Sequence, residues 1–460
     1  MFYRSIGLLL ASVALFILPS VQAIERKDDQ PLYKEGTDSV LLRYSLQLPR
    51  HRAGDPPLPL MVLFHGTNLD AKREVTWTNE VLETMGLRDQ VILLAPQGGS
   101  GRGPWEGRSG AIAELLSWAK RELPVDERRI VVAGFSAGGG FIMRHLIPNH
   151  RQELAGAISF AGNSGHHLPA SNDTDPDIIL LMGTADNPGL ARNWASNSRK
   201  RGYRVIYREI IGAGHGTVLG LPDTRRSRNR QDLIRWSLAQ RARAIPPSEE
   251  ELAFLHTLAN KRGRPREAEV MEVARIGGSE AGQLVARWLA SDDAGMQRAA
   301  AHIAYTTTFD GATIASLAQV AATEEGETAS MAVKALGQLA AWEFEDAQQA
   351  LISLAQHQQA RVRALAAAGL KDAIAFTIYG QHEGQHLFVP LIRMLEDPQQ
   401  GVRAVAWDAL SQSMPPVENA QDSEVTLSPP MLYDPARDPS VQREVINSWQ
   451  QWARSLPERL

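Results

Sequence analysis

Residues 129–143 read RIVVAGFSAGGGFIM, and the order of residue types in that run decides how the surrounding chain folds. Ile130, Val131 and Val132 are the β-branched residues of a buried strand, Gly134-Phe135-Ser136-Ala137-Gly138 follows, and the residues beyond suit a helix. A serine hydroxyl is a weak nucleophile until a tight strand-to-helix turn exposes its oxygen to a base and a substrate together. Gly134 and Gly138 permit that turn, because a side chain at either place would crowd the neighbouring strand or helix. The free N–H groups at the start of the helix then face the point where negative charge develops. Ser136 is therefore the candidate nucleophile.

Outward from this stretch, strands and helices alternate. Strands are predicted at 39–48, 58–64, 90–95, 129–135, 154–160, 177–182 and 203–211, and helices at 72–85, 111–123, 137–147, 190–201 and 232–243. The polar segment 24–36 carries no predicted element. Short crossovers of this kind give a mostly parallel sheet covered on both faces. Reactive groups in such sheets gather at the carboxyl ends of the strands. There stand Gly66 and Thr67, Ser136, Asn163 with His166 and His167, Asp186, and His215.

A serine nucleophile needs a base, and the base an orienting carboxylate. In this topology the three follow in the order serine, acid, histidine. Asp186 lies in the loop after a buried strand, whereas Asp173, Asp175 and Asp177 precede that strand and fall at the opposite end of the sheet. His215, between Gly214 and Gly216, follows the last strand. The intervals (186 − 136 = 50 and 215 − 186 = 29 residues) leave room for a strand and crossover in each gap. The backbone N–H groups of Ala137 and Thr67 are candidate oxyanion donors. His166 and His167 precede the acid and either line a substrate pocket or sit in solvent; Trp105 and Trp77 are aromatic wall candidates, with a core role the stronger reading for either, and His65 reads as structural. No metal or organic cofactor is implied.

At 460 residues the chain exceeds one ordinary core, so two domains are expected. The break falls at Ala244-Ile245-Pro246-Pro247-Ser248, giving one domain at 24–245 and a second at 246–460, where Ser248 begins a helix as an N-cap. Beyond it the strand pattern gives way to alanine and leucine at helical spacing. Val362-Arg363-Ala364-Leu365-Ala366 and Val402-Arg403-Ala404-Val405-Ala406 are in phase (402 − 362 = 40 residues), with fainter copies at 330–339 and 296–304. Helix pairs of that period must stack to bury their faces.

Hydrophobic residues make up 43% of the chain and charged residues 22%, and a net charge of −4 gives no sign of a nucleic-acid partner. Residues 1–23 read as an export leader: Arg4, an apolar run at 6–18, and Val21-Gln22-Ala23 with cleavage after Ala23. No later segment is apolar and long enough to cross a bilayer. The absence of cysteine excludes disulfides, thiol catalysis and a lipidated cysteine, which suits a bacterial periplasm or secretion to the medium.

Residues 38–243 resemble an α/β-hydrolase, and within that group the exported polyhydroxybutyrate depolymerase and feruloyl esterase-like proteins. The resemblance is carried by His65-Gly66, Gly134-Phe135-Ser136-Ala137-Gly138-Gly139, Gly183-Thr184-Ala185-Asp186 and Gly214-His215. The C-terminal part resembles HEAT repeats in its Val-Arg-x-x-Ala core. Together these imply an α/β-hydrolase fold followed by an all-α, HEAT-like domain, and hydrolysis of small or polymeric carboxylic esters through an acyl-enzyme. Two alternatives stay open. One is a serine peptidase on the same triad, and the other a scaffold whose helical repeats bind a protein partner.

Overall fold

The computed structural model describes residues 25–101, 103–210, 213–218, 224–261, 263–309, 311–377, 385–413 and 432–455. The expected leader, 1–23, lies outside the described residues. The first half contains β1 (Glu25–Tyr33), β2 (Val40–Leu48), β3 (Leu58–Phe64), α1 (Ala71–Thr84), β4 (Ile92–Gln97), α2 (Ser109–Glu122) and β5 (Val125–Phe135). It continues with α3 (Ala137–Phe141), α4 (Ile147–His150), β6 (Gly156–Phe160), β7 (Asp177–Gly183), α5 (Gly189–Lys200), β8 (Val205–Ile210) and α6 (Thr224–Ala239). The strands form one sheet in the order β1-β2-β4-β3-β5-β6-β7-β8. Only β2 runs against the others in this sheet, pairing antiparallel with β1 and β4, while every other pair is parallel.

The apolar runs of β3, β4 and β7 contribute to cores on both faces, because successive side chains point to opposite sides. Met61, Leu63 and Ala133 pack with α1 and α6, whereas Leu60, Val62 and Val132 pack with α2, α5 and the elbow helix. The first of these cores continues without a break into the C-terminal helices.

Three elements differ from the sequence expectation. Glu25–Tyr33 is a strand, although its residues are mostly polar; its alternating exposure and its ladder with β2 show that pairing, not hydrophobic pattern, holds it. The helix after the elbow is interrupted by a π-turn at Ile142–Leu146, followed by Pro148, which has no N–H to return to the preceding turn. The last helix of this half is Thr224–Ala239 rather than 232–243. It stops there because Arg241 turns inward and donates to the carbonyls of Leu238, Gln240, Ala274 and Arg275.

The second half is helical among the described residues: α7 (Glu249–Asn260), α8 (Glu267–Ile276), α9 (Gly278–Leu289), α10 (Ala294–Thr306), α11 (Gly311–Thr323) and α12 (Gly326–Ala341). Then come α13 (Glu345–Leu354), α14 (Ala360–Thr377), α15 (Gln385–Met394), α16 (Gln400–Ser413) and α17 (Arg443–Ser455). Ser248 caps α7 in a capping box: its Oγ accepts from Glu251 N–H, and the Glu251 carboxylate accepts from Ser248 N–H at 2.8 Å. Helices α8, α10, α12, α14 and α16 pack in one row, and α7, α9, α11, α13, α15 and α17 in a second.

The 40-residue period is visible in hydrogen bonds. Arg363 donates to the carbonyls of His357 and Gln358, and Arg403, 40 residues on, donates to those of Asp397 and Pro398. Val362 and Val402 beside them are both buried. Each repeat thus uses its valine to enter the core and its arginine to close the turn before its own helix.

Candidate active site

Strand β3 leads to β4 on one side, while β5 starts again on the other side of β3 and leads on to β6. A crevice therefore opens at the carboxyl ends of β3 and β5, the usual ligand position in such a sheet. Gly66 and Thr67 follow β3, and Ser136 follows β5.

Ser136 has φ 52° and ψ −113°, a left-handed conformation that costs roughly 1–3 kcal/mol for a residue with a side chain. Its N–H donates to Phe160 O at 2.7 Å, and its carbonyl accepts from Gly140 N–H at 2.9 Å. The turn can be this tight only with glycine around it. A Cβ on Gly134 would sit 2.6 Å from the Gly138 carbonyl carbon, and one on Gly138 would sit 2.2 Å from the Phe64 carbonyl oxygen.

His215 Nε2 lies 2.8 Å from Ser136 Oγ, and His215 Nδ1 lies 2.8 Å from Asp186 Oδ2. A carboxylate only accepts, so the arrangement that satisfies both contacts has Nδ1–H donating to Asp186 and the Ser136 hydroxyl donating to Nε2. The separation of acid and histidine is set by their loops. Thr184 N–H donates to Ile210 O and Ala185 N–H to Ala213 O, both at 3.1 Å. Gly214 N–H donates to Thr217 Oγ1 at 2.8 Å, folding the histidine turn. The Asp186 side chain is mostly covered while that of His215 is half exposed, and Phe135 packs on the imidazole with ring centroids 5.3 Å apart. The imidazole is thus open to solvent on one side and supported by an aromatic ring on another.

Ala137 is the first residue of α3, so its N–H has no partner within the helix. Neither it nor Thr67 N–H donates to a backbone partner among the described residues, and the Gly66 backbone lies against the Ser136 side chain. His65 is buried beneath. Its Nε2 accepts from Gly98 N–H at 2.8 Å and its Nδ1 donates to Gly66 O at 2.8 Å, a pairing that only the neutral ring can make, and burial lowers its pKa. It ties the loop after β3 to the loop after β4.

Trp105 does not form a pocket wall. It is only 4% exposed, donates from Nε1 to His65 O at 3.0 Å and packs on Phe64 and Phe141, so its polar atom and its ring faces are already engaged in the core. His166 and His167 are exposed on the loop after β6, and among the described residues neither hydrogen-bonds to Ser136, Asp186 or His215. Asp175 and Asp177 stand at the other end of the sheet, in ion pairs with Arg151 and with Arg204 and Arg243.

No motif or spacing in the sequence marks Glu74. A small, mostly apolar cleft of about 70 Å³ lies between α1 and α6, under Phe135 and Phe160, with Trp77 on one wall. Glu74 lines it, is 8% exposed, and its Oε1 has no hydrogen-bond partner among the described residues. Burial pushes its carboxyl up to about 7, against the pull of Arg230 and Arg73. The folded pKa lies above an unfolded value of about 4.3, so the folded chain holds this proton more tightly. Stability is therefore lost as pH rises from about 4.5 to 7, and the full penalty applies above 7. Glu74→Gln is expected to exceed the parent in stability by on the order of 2–3 kcal/mol at pH 8 and to match it at pH 4. Denaturant midpoints of the two proteins at both pH values check this.

No protein-family model matches the chain. A bifunctional acetylxylan esterase/xylanase of Neocallimastix patriciarum is 27% identical over 138 residues, 29% of this chain and 20% of that protein, so the chain spans about a fifth of that relative's length. Among solved structures, an α/β-hydrolase enzyme from a Medee basin deep-sea metagenome library is similar at 14% identity and TM-score 0.38, covering 47% of this chain and 97% of that one. An esterase of Rhizomucor miehei matches at 14% identity and TM-score 0.37, with 48% and 84% covered. A ferulic acid esterase of Anaeromyces mucronatus, solved with ferulic acid, matches at 15% identity and TM-score 0.34, with 43% and 86% covered. Each of these structural likenesses takes in less than half of the chain.

Proposed function

We propose that the protein is a serine hydrolase that cleaves carboxylic esters, of the acetyl, feruloyl or polyhydroxyalkanoate kind, and that it acts after export to the periplasm or the medium. The observation that carries this reading is the continuous line Ser136 Oγ, His215, Asp186, with both contacts at 2.8 Å. The likeness to an acetylxylan esterase supports the ester class. In the reaction, His215 Nε2 takes the Ser136 proton as Oγ attacks the ester carbonyl, and Asp186 stabilises the imidazolium. The N–H groups of Ala137 and Thr67 hold the oxyanion. His215 then protonates the leaving alcohol, and water, activated by the same imidazole, releases the acid and restores Ser136. The strained backbone of Ser136 is already in place before substrate arrives.

The alternating helix rows and the 40-residue repeat of arginine contacts support a HEAT-type stack for 246–460. To test the enzymatic reading, the protein is incubated with p-nitrophenyl acetate, a methyl hydroxycinnamate and a peptide anilide, and separately with a serine-directed phosphonate. Turnover of the esters over the anilide, with the phosphonate mass on the peptide that carries Ser136, is the expected result. Anilide turnover alone would give the peptidase reading, and a phosphonate found elsewhere or nowhere would remove the nucleophile assignment.

A further inference from the structure

At the amino ends of the strands, on the side of the sheet away from Ser136, a cavity of about 420 Å³ lies where the two halves of the chain meet. Its charged lining comes from the sheet (Arg128, Asp177, Arg204), from the segment after α6 (Arg241, Arg243) and from α9 (Glu280). Four guanidinium groups thus face two carboxylates.

The pairing among them leaves positive charge uncompensated. Asp177 is shared by Arg243 and Arg204, the latter at 3.2 Å. Arg241 donates to four backbone carbonyls at 2.6–2.9 Å, which satisfies four of its five N–H donors without neutralising its charge. Burial holds its pKa well below the usual guanidinium range, and nearby Arg129 lowers it further. Arg275 draws in the neighbouring acids, with Glu251 at 2.6 Å, Glu272 at 2.7 Å and Asp126 at 3.5 Å.

Among the described residues the Arg128 side chain makes one long contact, Nη1 to Glu251 at 3.5 Å, although Arg128 is only 7% exposed, and its buried Nε has no partner there. Buried guanidinium groups are ordinarily paired and fully hydrogen-bonded. An under-paired one lining a cavity with a net excess of arginine calls for an anion from outside.

We propose that this junction cavity binds a small oxyanion, a phosphate or a carboxylate, which pairs with Arg128 and fastens the helical region to the hydrolase half. The proposal does not depend on the reaction at Ser136. The test is thermal unfolding of the full chain in phosphate, in acetate and in chloride at equal ionic strength. Phosphate or acetate about 100-fold above its Kd is expected to raise Tm by about 3 °C over chloride, and the arm that responds identifies the anion.

Arg128→Met keeps the aliphatic stem and removes the charge. It should be at least as stable as the parent in chloride and should lose the anion response. Absence of any oxyanion-specific rise in the parent, or an equal rise in Arg128→Met, would overturn the proposal. Should Arg128→Met fail to fold, Glu280→Gln at the exposed rim decides. Removal of that negative charge is expected to tighten anion binding by roughly 2–5-fold, and unchanged binding would count against the site.

Discussion

Ser136→Ala is expected to lower kcat for ester hydrolysis by about 10⁴ to 10⁶, with little change in KM. The substitution removes the atom that bonds to the acyl carbon but leaves the crevice, the oxyanion donors and His215 in place, so ground-state binding is kept. Residual turnover then reflects water held near the same donors. His215→Ala removes the proton acceptor and should be similarly impaired. Asp186→Asn keeps the hydrogen-bonding distance but offers a neutral amide that no longer stabilises an imidazolium, so a large loss in kcat is expected there too. The double substitutions should add little to Ser136→Ala, because the three groups act as a unit. Steady-state kinetics on the ester that turns over fastest measures all of these, and an Ser136→Ala variant within tenfold of the parent would sink the mechanism.

The second large effect belongs to stability. Glu343→Ala should destabilise the folded chain by about 3–5 kcal/mol, because it removes a buried carboxylate to which a buried arginine donates. Arg208, in β8, is 1% exposed and donates from Nη1 to Glu343 and to Tyr207 O. Glu343 sits in the turn after α12, 8% exposed and with φ 62°. The pair therefore crosses from the sheet to the helical region. Denaturant midpoints supply the measurement, and Arg208→Met combined with Glu343→Leu should recover only part of the loss, since it removes the charge of Arg208 but also takes the carboxylate from Arg199, 3.5 Å from Glu343 Oε2. A loss below about 1 kcal/mol for Glu343→Ala would mean that this contact does little to hold the halves together.

What could be read from the sequence was what depends on neighbouring residues. The elbow at Ser136 is a local arrangement of strand formers, glycines and a helix start, and the repeated Val-Arg-x-x-Ala marks are local too. Asp186 and His215 were picked by strand ends and chain order, and they stand at 2.8 Å contacts with each other and with Ser136. Where tertiary partners decide, the pattern was silent. The polar strand Glu25–Tyr33 exists because β2 offers it a ladder, and α6 ends early because Arg241 finds carbonyls on α8. Trp105 reads first as core and second as pocket wall, and its N–H partner, the His65 carbonyl, places it in the core. The arginine-lined cavity joins residues from 128 to 344, which no spacing rule connects.

The last strand of the sheet has a consequence for how this protein behaves in a crowd of its own kind. Among the described residues β8 pairs on one side only, with β7, yet all six of its residues are buried. An uncovered terminal strand is a template for strands of other chains, and proteins commonly guard it with charge, proline or overlying structure. Here Arg208 of β8 reaches across to Glu343 and the Ala341 carbonyl, so the helical half acts as the guard. A sheet half released from its helices, by proteolysis or by gene fission, would be exposed to self-association along that strand even before the Ser136–His215–Asp186 geometry was disturbed. Selection for solubility would then keep the two halves on one chain, independently of any demand made by the substrate.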